Sequence, residues 1–233
     1  MLDDIARRFA SMAPAVDFWS LRLMQARREC MSVRQDVTQP PENQLSLGAL
    51  IEVVDGPSMG YCATCDLTNS GLGAAVSRAR DWVKRSHDLH LLAPDKIPRA
   101  HVRGTYQTPV QRAWGTWNLD DKLGLLHAAS RRLNAGEAIV DWEASLDYQH
   151  VEVLLVNSCD AHIAQSFEFL TPGLQAVANQ ASDTQQRSFG YDLAAQGGLE
   201  RFDSFDLTAV AERVADEALQ LLYAPNCPAG RMD

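Results

Sequence analysis

Four β-like runs follow one another with only short breaks, at residues 138–148, 151–156, 163–170 and about 174–181. No other feature constrains the fold as much. Breaks of this length leave no room for the crossover that parallel neighbours need, so the runs are expected to pair antiparallel as a meander. The turn between the middle two is Asn157-Ser158-Cys159-Asp160-Ala161, whose short polar side chains can bond their own backbone. Ile163, Phe167 and Phe169 fall at period 2 and are expected to pack into a core.

The rest of the chain adds helices and further strands around this meander. Leu2, Ile5, Phe9 and Met12 fall at helical spacing ahead of Pro14. Residues 16–37 read as one or two half-exposed strands, and 45–54 as a strand that turns at Asp55-Gly56-Pro57 and returns over 59–66. Thr68-Asn69-Ser70 can cap a helix with Leu72, Val76, Ala79 and Val83 on its apolar face and Trp82 at the edge. Asn118 caps another, with Leu119, Leu123, Leu126 and Leu133 inward and Asn134-Ala135-Gly136 as its stop. A further strand over 187–193 precedes the pair Gly197-Gly198. A last helix from Asp206 turns Leu207, Val210, Val214, Ala218, Leu221 and Leu222 inward and ends before Pro225. Residues 89–116 hold Pro94, Pro98, Gly104, Pro109 and Gly115 without a clean period. They read as a long loop, of the kind that is functional, flexible or covered by a partner. The order of elements predicts an α+β fold, a largely antiparallel sheet with amphipathic helices packed on it.

Composition removes several classes of function. At 233 residues the chain fits one large domain or two small ones and can bury roughly 70% of its unfolded surface. The net charge of −9, with Lys+Arg 21 against Asp+Glu 30, lacks the basic footprint that displaces counterions from phosphates, so direct nucleic-acid binding is not expected. The basic clusters Arg7-Arg8, Arg27-Arg28 and Arg131-Arg132 are only pairs. No apolar run approaches the roughly 18 residues that span a bilayer. The first residues place Asp3 and Asp4 ahead of Arg7 and Arg8 with no apolar stretch, unlike a signal peptide. A cytoplasmic protein is expected, and the cysteines at 30, 62, 65, 159 and 227 are then reduced thiols.

The candidate chemistry is sparse. Cys62-Ala63-Thr64-Cys65 could chelate zinc or form a redox pair. In a strand, however, residues three apart point to opposite faces, no second Cys-x-x-Cys completes a four-ligand site, and buried strand cysteines are the simpler expectation. His87 and His90 around Asp88 could share a metal, or could complement the C-terminal end of a helix dipole. There is no Gly-x-Ser-x-Gly elbow, no Gly-x-Gly-x-x-Gly fingerprint and no phosphate-binding Gly-Lys-Ser/Thr; Gly71-Leu72-Gly73 lacks the third glycine. Trp114 and Trp117 flank Gly115 in the long loop. They are either exposed interface anchors or pack back onto the sheet.

Several segments in order resemble one family. They are Gly60-Tyr61-Cys62-Ala63-Thr64-Cys65-Asp66-Leu67-Thr68 before an Ala-rich helix, Asn157-Ser158-Cys159-Asp160, the stretch from Gln185-Gln186-Arg187 to Gly197-Gly198-Leu199-Glu200, and Leu221-Leu222-Tyr223-Ala224-Pro225 with Pro228-Ala229-Gly230. Together they resemble the TldD/PmbA family, historically labelled modulators of DNA gyrase. The resemblance implies an N-terminal α+β domain over 1–223, with a subdivision near 89–117. It also implies that 224–233 begins a linker to a β-rich domain carrying a His-Glu-x-x-x-His zinc site completed by a distant cysteine. It further implies a homo- or heterodimer of TldD- and PmbA-type subunits that cleaves unfolded peptides, including leader peptides. The segment 224–233 looks more like the TldD-type member.

The chain departs from the family pattern in two places. It contains no His-Glu dipeptide, and Ala161 stands where a glycine is expected after Asn-Ser-x-Asp. No zinc ligand can be carried over, Cys227 is not the family's ligand cysteine, and no cofactor is expected in these residues. An inactive domain that binds peptide or pairs subunits is the first expectation; a stand-alone regulatory module that pairs with a full-length subunit is the alternative. Arg187, Gly197, Gly198 and Glu200 are the candidate peptide-binding residues, by charge and by permitting close backbone approach. Solvated charges and turn glycines are the plainer reading of the same four.

Overall fold

Long strands run through stretches that read as pairs of short ones. In chain order the elements are α1 (Leu2–Ser11), β1 (Phe18–Arg34), β2 (Val37–Thr38), β3 (Glu42–Asp55), β4 (Ser58–Thr64), α2 (Asn69–Arg85) and β5 (Arg103–Gln107). They continue as α3 (Leu119–Leu133), β6 (Ile139–Asn157), β7 (His162–Gln180), β8 (Asp183–Phe189), β9 (Ala195–Gln196) and α4 (Leu207–Leu222). The computed structural model describes residues 1–86, 97–225 and 230; His87, Asp88 and His90 lie outside them, as does Cys227. The fold is α+β. The expected breaks near 149 and 171 do not occur, because β6 and β7 each run for 19 residues. Among the described residues no helix is long and apolar enough to cross a membrane.

The chain divides into two units, one of Met1–Arg27, Gln44–Thr108 and His150–Phe167, the other of Arg28–Asn43, Pro109–Gln149 and Glu168–Asp233. In the first unit the strand order is β4-β3-β1-β6-β7-β5. Hairpin β3–β4 is antiparallel with Ile51 opposite Cys62, and Gly56 supplies a positive φ of 57° in its turn. The core gathers Phe9 from α1, Leu21 and Leu23 from β1, Ile51 and Val53 from β3, Leu72 and Ala79 from α2, and Leu154 from β6. Each large side chain removed from water contributes about 1.5–3 kcal/mol. Thr68 caps α2 by accepting from the Gly71 N–H. The helix then lies so close on β4 that a Cβ at Gly60 would sit 2.1 Å from the Ala79 carbonyl oxygen.

The region read as a long loop supplies β5, which pairs with β7 in parallel, Arg103 opposite His162 and Gln107 opposite Ser166. That is the one parallel pairing in an otherwise antiparallel set among the described ladders. Period alone could not reveal it, because a five-residue edge strand flanked by prolines shows too little alternation.

In the second unit β8 and β9 both pair antiparallel with β7, and β2 pairs with β1. A core of Met31, Val33, Leu126, Leu133, Leu146, Leu170, Ala176, Leu207, Val214 and Ala218 forms under α3 and α4. Asn118 and Asp121 form a reciprocal capping box on α3, and Asp206 caps α4 by accepting from Thr208 and Ala209. Leu119 and Leu221 do not face inward as their spacing predicts; both are exposed. On α3 the inward position one turn from Leu126 goes instead to Lys122, which is 6% exposed. Ile163, Phe167 and Phe169 are half-buried and not core residues, with Phe167 packed on the Tyr106 ring.

Turn chemistry compensates for the missing glycine at 161. Asn157 Oδ1 accepts from the Cys159 and Ala161 N–H groups, both at 2.9 Å. The positive φ of 65° falls on Asp160, a residue type that tolerates it.

Two glycine substitutions separate packing from propensity. Gly60→Ala drives a methyl into the backbone of α2 and is expected to cost about 1–3 kcal/mol. Gly124→Ala, in α3 with nothing within 4 Å of the added Cβ, is expected to add about 0.5–1 kcal/mol. Urea unfolding midpoints of the two variants against the parent check both signs.

Candidate functional site

Three of the four candidate peptide-binding residues meet at one corner of the second unit, where they hold the chain's own backbone. Glu200 Oε2 accepts from the Arg112 N–H at 2.9 Å, and its Oε1 accepts from the Gly198 N–H at 2.8 Å. The Leu199 N–H donates to the Arg112 carbonyl at 2.8 Å. The Arg112 guanidinium returns to the Leu199 carbonyl and to Asp203, both at 2.7 Å. A Cβ at Gly198 would lie 2.1 Å from the Arg112 carbonyl oxygen. The close approach this glycine permits is therefore occupied by residues 110–112 and not left open for a peptide. Gly197 has a φ of +140° and donates its N–H to the Glu168 carbonyl. Arg187 lies apart from the corner, on β8, where it pairs with Glu217 of α4.

Burial pushes the Glu200 carboxyl up, but hydrogen bonds from the backbone N–H groups of Arg112, Gly198, Glu200 and Gln111 outweigh it. The net shift is below the ordinary glutamate range. The corner is an internal clasp.

Trp114 closes the same region from inside. It is 5% exposed, stacked on Tyr148 with ring centroids 4.8 Å apart and planes 4° from parallel. Lys122 Nζ stands 3.7 Å from the centre of the Trp114 ring. The indole N–H donates to Glu29 Oε2 at 2.7 Å, and Tyr148 O–H donates to Glu168 Oε2 at 2.8 Å. Trp117 is half-buried, stacked on Phe202 at 5.4 Å. Packing inward thus replaces the exposed-anchor alternative, most plainly for Trp114, because its polar tip finds a partner in Glu29 while its faces find Tyr148 and Lys122.

The thiols do not assemble a reactive centre. Cys62 is half-buried in β4 and Cys65 lies just beyond the strand, exposed, so neither is the fully buried strand cysteine expected. Cys30 borders an open hollow of about 560 Å³ on the sheet of the second unit, beside Ser145, Gly173 and the Arg28–Asp147 ion pair. Burial, then the Asp147 carboxylate, pushes the Cys30 thiol up, which favours the inert protonated form. Among the described residues no three His, Cys, Asp or Glu side chains gather in a way that could hold a metal ion. The zinc implied by the family resemblance thus finds no fitting ligand set in them.

The Gly198–Asp203 side of the clasp, the Trp114–Tyr148 stack and both helices of the second unit fall within one matched segment. Residues 113–222 match the family model of the PmbA/TldA metallopeptidase central domain. That segment is similar to the central domain of the PmbA/TldD metallopeptidases. This chain is similar in fold to a crystal structure described as a modulator of DNA gyrase from Thermotoga maritima, at 14% identity and a TM-score of 0.73, covering 99% of this chain and 50% of that one. A second such modulator, from Bacteroides thetaiotaomicron, shares 10% identity with a TM-score of 0.75 over 94% of this chain and 49% of its own. TldE from Thermococcus kodakarensis shares 12% identity with a TM-score of 0.62 over 95% of this chain and 47% of its own. The chain therefore spans about half the length of the solved structures it matches. No curated protein matches it.

The clasp makes a pH-dependent prediction. Glu200→Ala strands two backbone donors and is expected to cost about 1–3 kcal/mol at pH 7. Because the folded-state pKa of Glu200 is depressed, its contribution is present above the ordinary glutamate range and fades as pH falls through the folded value. The gap between parent and Glu200→Ala in urea-unfolding free energy should accordingly narrow from pH 7 towards pH 3.

Proposed function

We propose that this chain is the portion of a TldD-type metallopeptidase subunit that precedes the catalytic residues, and that it serves peptide holding and subunit pairing in the cytoplasm. The observation that carries this reading is the match of residues 113–222 to the central-domain model, joined to a fold that covers nearly all of this chain but only half of each solved relative. Zinc-dependent hydrolysis of unfolded or leader peptides then belongs to polypeptide outside these 233 residues. Within them, the chemistry is that of a scaffold: paired charges, capped helices and a clasp whose hydrogen-bonding groups are engaged internally. The family label of gyrase modulator does not imply contact with DNA on this reading, since a net charge of −9 repels phosphates.

Size-exclusion chromatography of the purified chain, with and without a full-length TldD- or TldE-type subunit, tests the pairing. A complex that elutes earlier than either component is expected. Peptidase assays on unfolded casein should show no turnover by the chain alone. Turnover that disappears on replacing one of its own side chains would overturn the reading, and so would the absence of any complex together with absence of peptide binding.

A further inference from the structure

Alternation along β6 and β7 sends His150, Glu152 and Leu154 of one strand, and Ala164 and Ser166 of the other, to the sheet face that carries the core of the first unit. All five residues belong to that unit. In the β7–β5 ladder Gln107 stands opposite Ser166. His150 Nε2 lies 2.9 Å from Ser166 Oγ. With the ring proton on Nδ1, Nε2 accepts from the serine hydroxyl. Both side chains are half-buried.

A serine bonded to a histidine becomes a reactive site only where a substrate atom has room beside it. Here a hollow of about 400 Å³ opens onto Ser166, a size suited to a small ligand. Leu2, Leu154 and Ala164 give the hollow an apolar side, and Asp3 and Glu152 give it a carboxylate rim. Gln107 lines it next to Ser166 and can turn its side-chain N–H groups towards a developing oxyanion.

We infer that Ser166 and His150 are a nucleophile and base that hydrolyse esters of short, uncharged acyl groups, with the acyl chain in the hollow. Ser166 Oγ bonds to the ester carbonyl carbon as its proton passes to His150 Nε2. The C–O bond to the leaving group breaks, and the leaving oxygen keeps the electron pair and takes that proton. Water then repeats the sequence on the acyl-serine, which releases the acid and restores the hydroxyl. Among the described residues no carboxylate hydrogen-bonds the other ring nitrogen of His150. The imidazolium therefore lacks the support that amide cleavage draws on, and the pair is confined to esters with good leaving groups. This activity is separate from the scaffold role and does not depend on it.

Treatment of the unaltered chain with a fluorophosphonate, followed by intact-mass analysis and peptide mapping, tests the nucleophile. A single adduct on Ser166 is expected, formed as fluoride leaves and His150 takes the serine proton. Hydrolysis of p-nitrophenyl butyrate should fall to the buffer rate in Ser166→Ala, by about a hundredfold in His150→Gln, and by about tenfold or more in Gln107→Ala. Ser166→Cys keeps a nucleophile at the same place and should still be acylated, which separates loss of the hydroxyl from loss of the fold. The p-nitrophenyl hemisuccinate, of equal length but ending in a carboxylate, should react at least about tenfold more slowly than the butyrate, because Asp3 and Glu152 repel it.

Absence of a Ser166 adduct on the unaltered chain would overturn the inference, and so would an adduct whose rate of formation ignores His150→Gln. Equal rates with the butyrate and the hemisuccinate would overturn the placing of the acyl group in the hollow.

Discussion

Strands β1 and β6 each supply buried side chains to both hydrophobic cores. Leu21 and Leu23 of β1 enter the first core, while Met31 and Val33 of the same strand enter the second. Leu154 of β6 belongs to the first, and Ala144, Leu146 and Tyr148 to the second. A slip of one residue in any of these strands would exchange the faces of its side chains in both cores at once. The register is thereby specified by burial along the whole length of the strand and not by turns alone. Ion pairs such as Arg34–Asp141 and Arg28–Asp147 decorate the same two strands, but partly exposed pairs of this kind contribute little compared with burial.

On that frame the second unit spends its polar groups on positioning its own backbone. Glu200 is anchored by backbone donors, Arg112 by Leu199 and Asp203, and Trp114 by Glu29, Tyr148 and Lys122. Such groups are poor candidates for catalysis, since each is already committed to a structural partner. Their role in this structure is to hold the second unit's own backbone and aromatic core in place.

The candidate site was only partly legible for one physical reason: a sequence shows which conformations a residue permits, not which neighbour uses them. Gly198 permits a close backbone approach, and the backbone that makes it is the segment 110–112, some 87 residues away along the chain. Trp114 could be an exposed anchor or pack inward, and only the fold supplies the Tyr148 ring on which it packs. β5 left almost no trace, because Arg103-Gly104-Thr105-Tyr106-Gln107 is short, flanked by prolines and paired on one side only.

Local chemistry determined by the sequence alone includes the helix caps at Thr68, Asn118 and Asp206, the Gly56 turn, the α+β class and the family motifs. Each depends on residues within a few positions of one another, where spacing is itself the geometry. Tertiary structure alone decided that β6 and β7 run unbroken, that Lys122 turns inward against Trp114, and that β5 pairs in parallel at the end of a sheet. Those outcomes depend on contacts between residues tens of positions apart, and no periodicity within a window records which distant strand lies alongside.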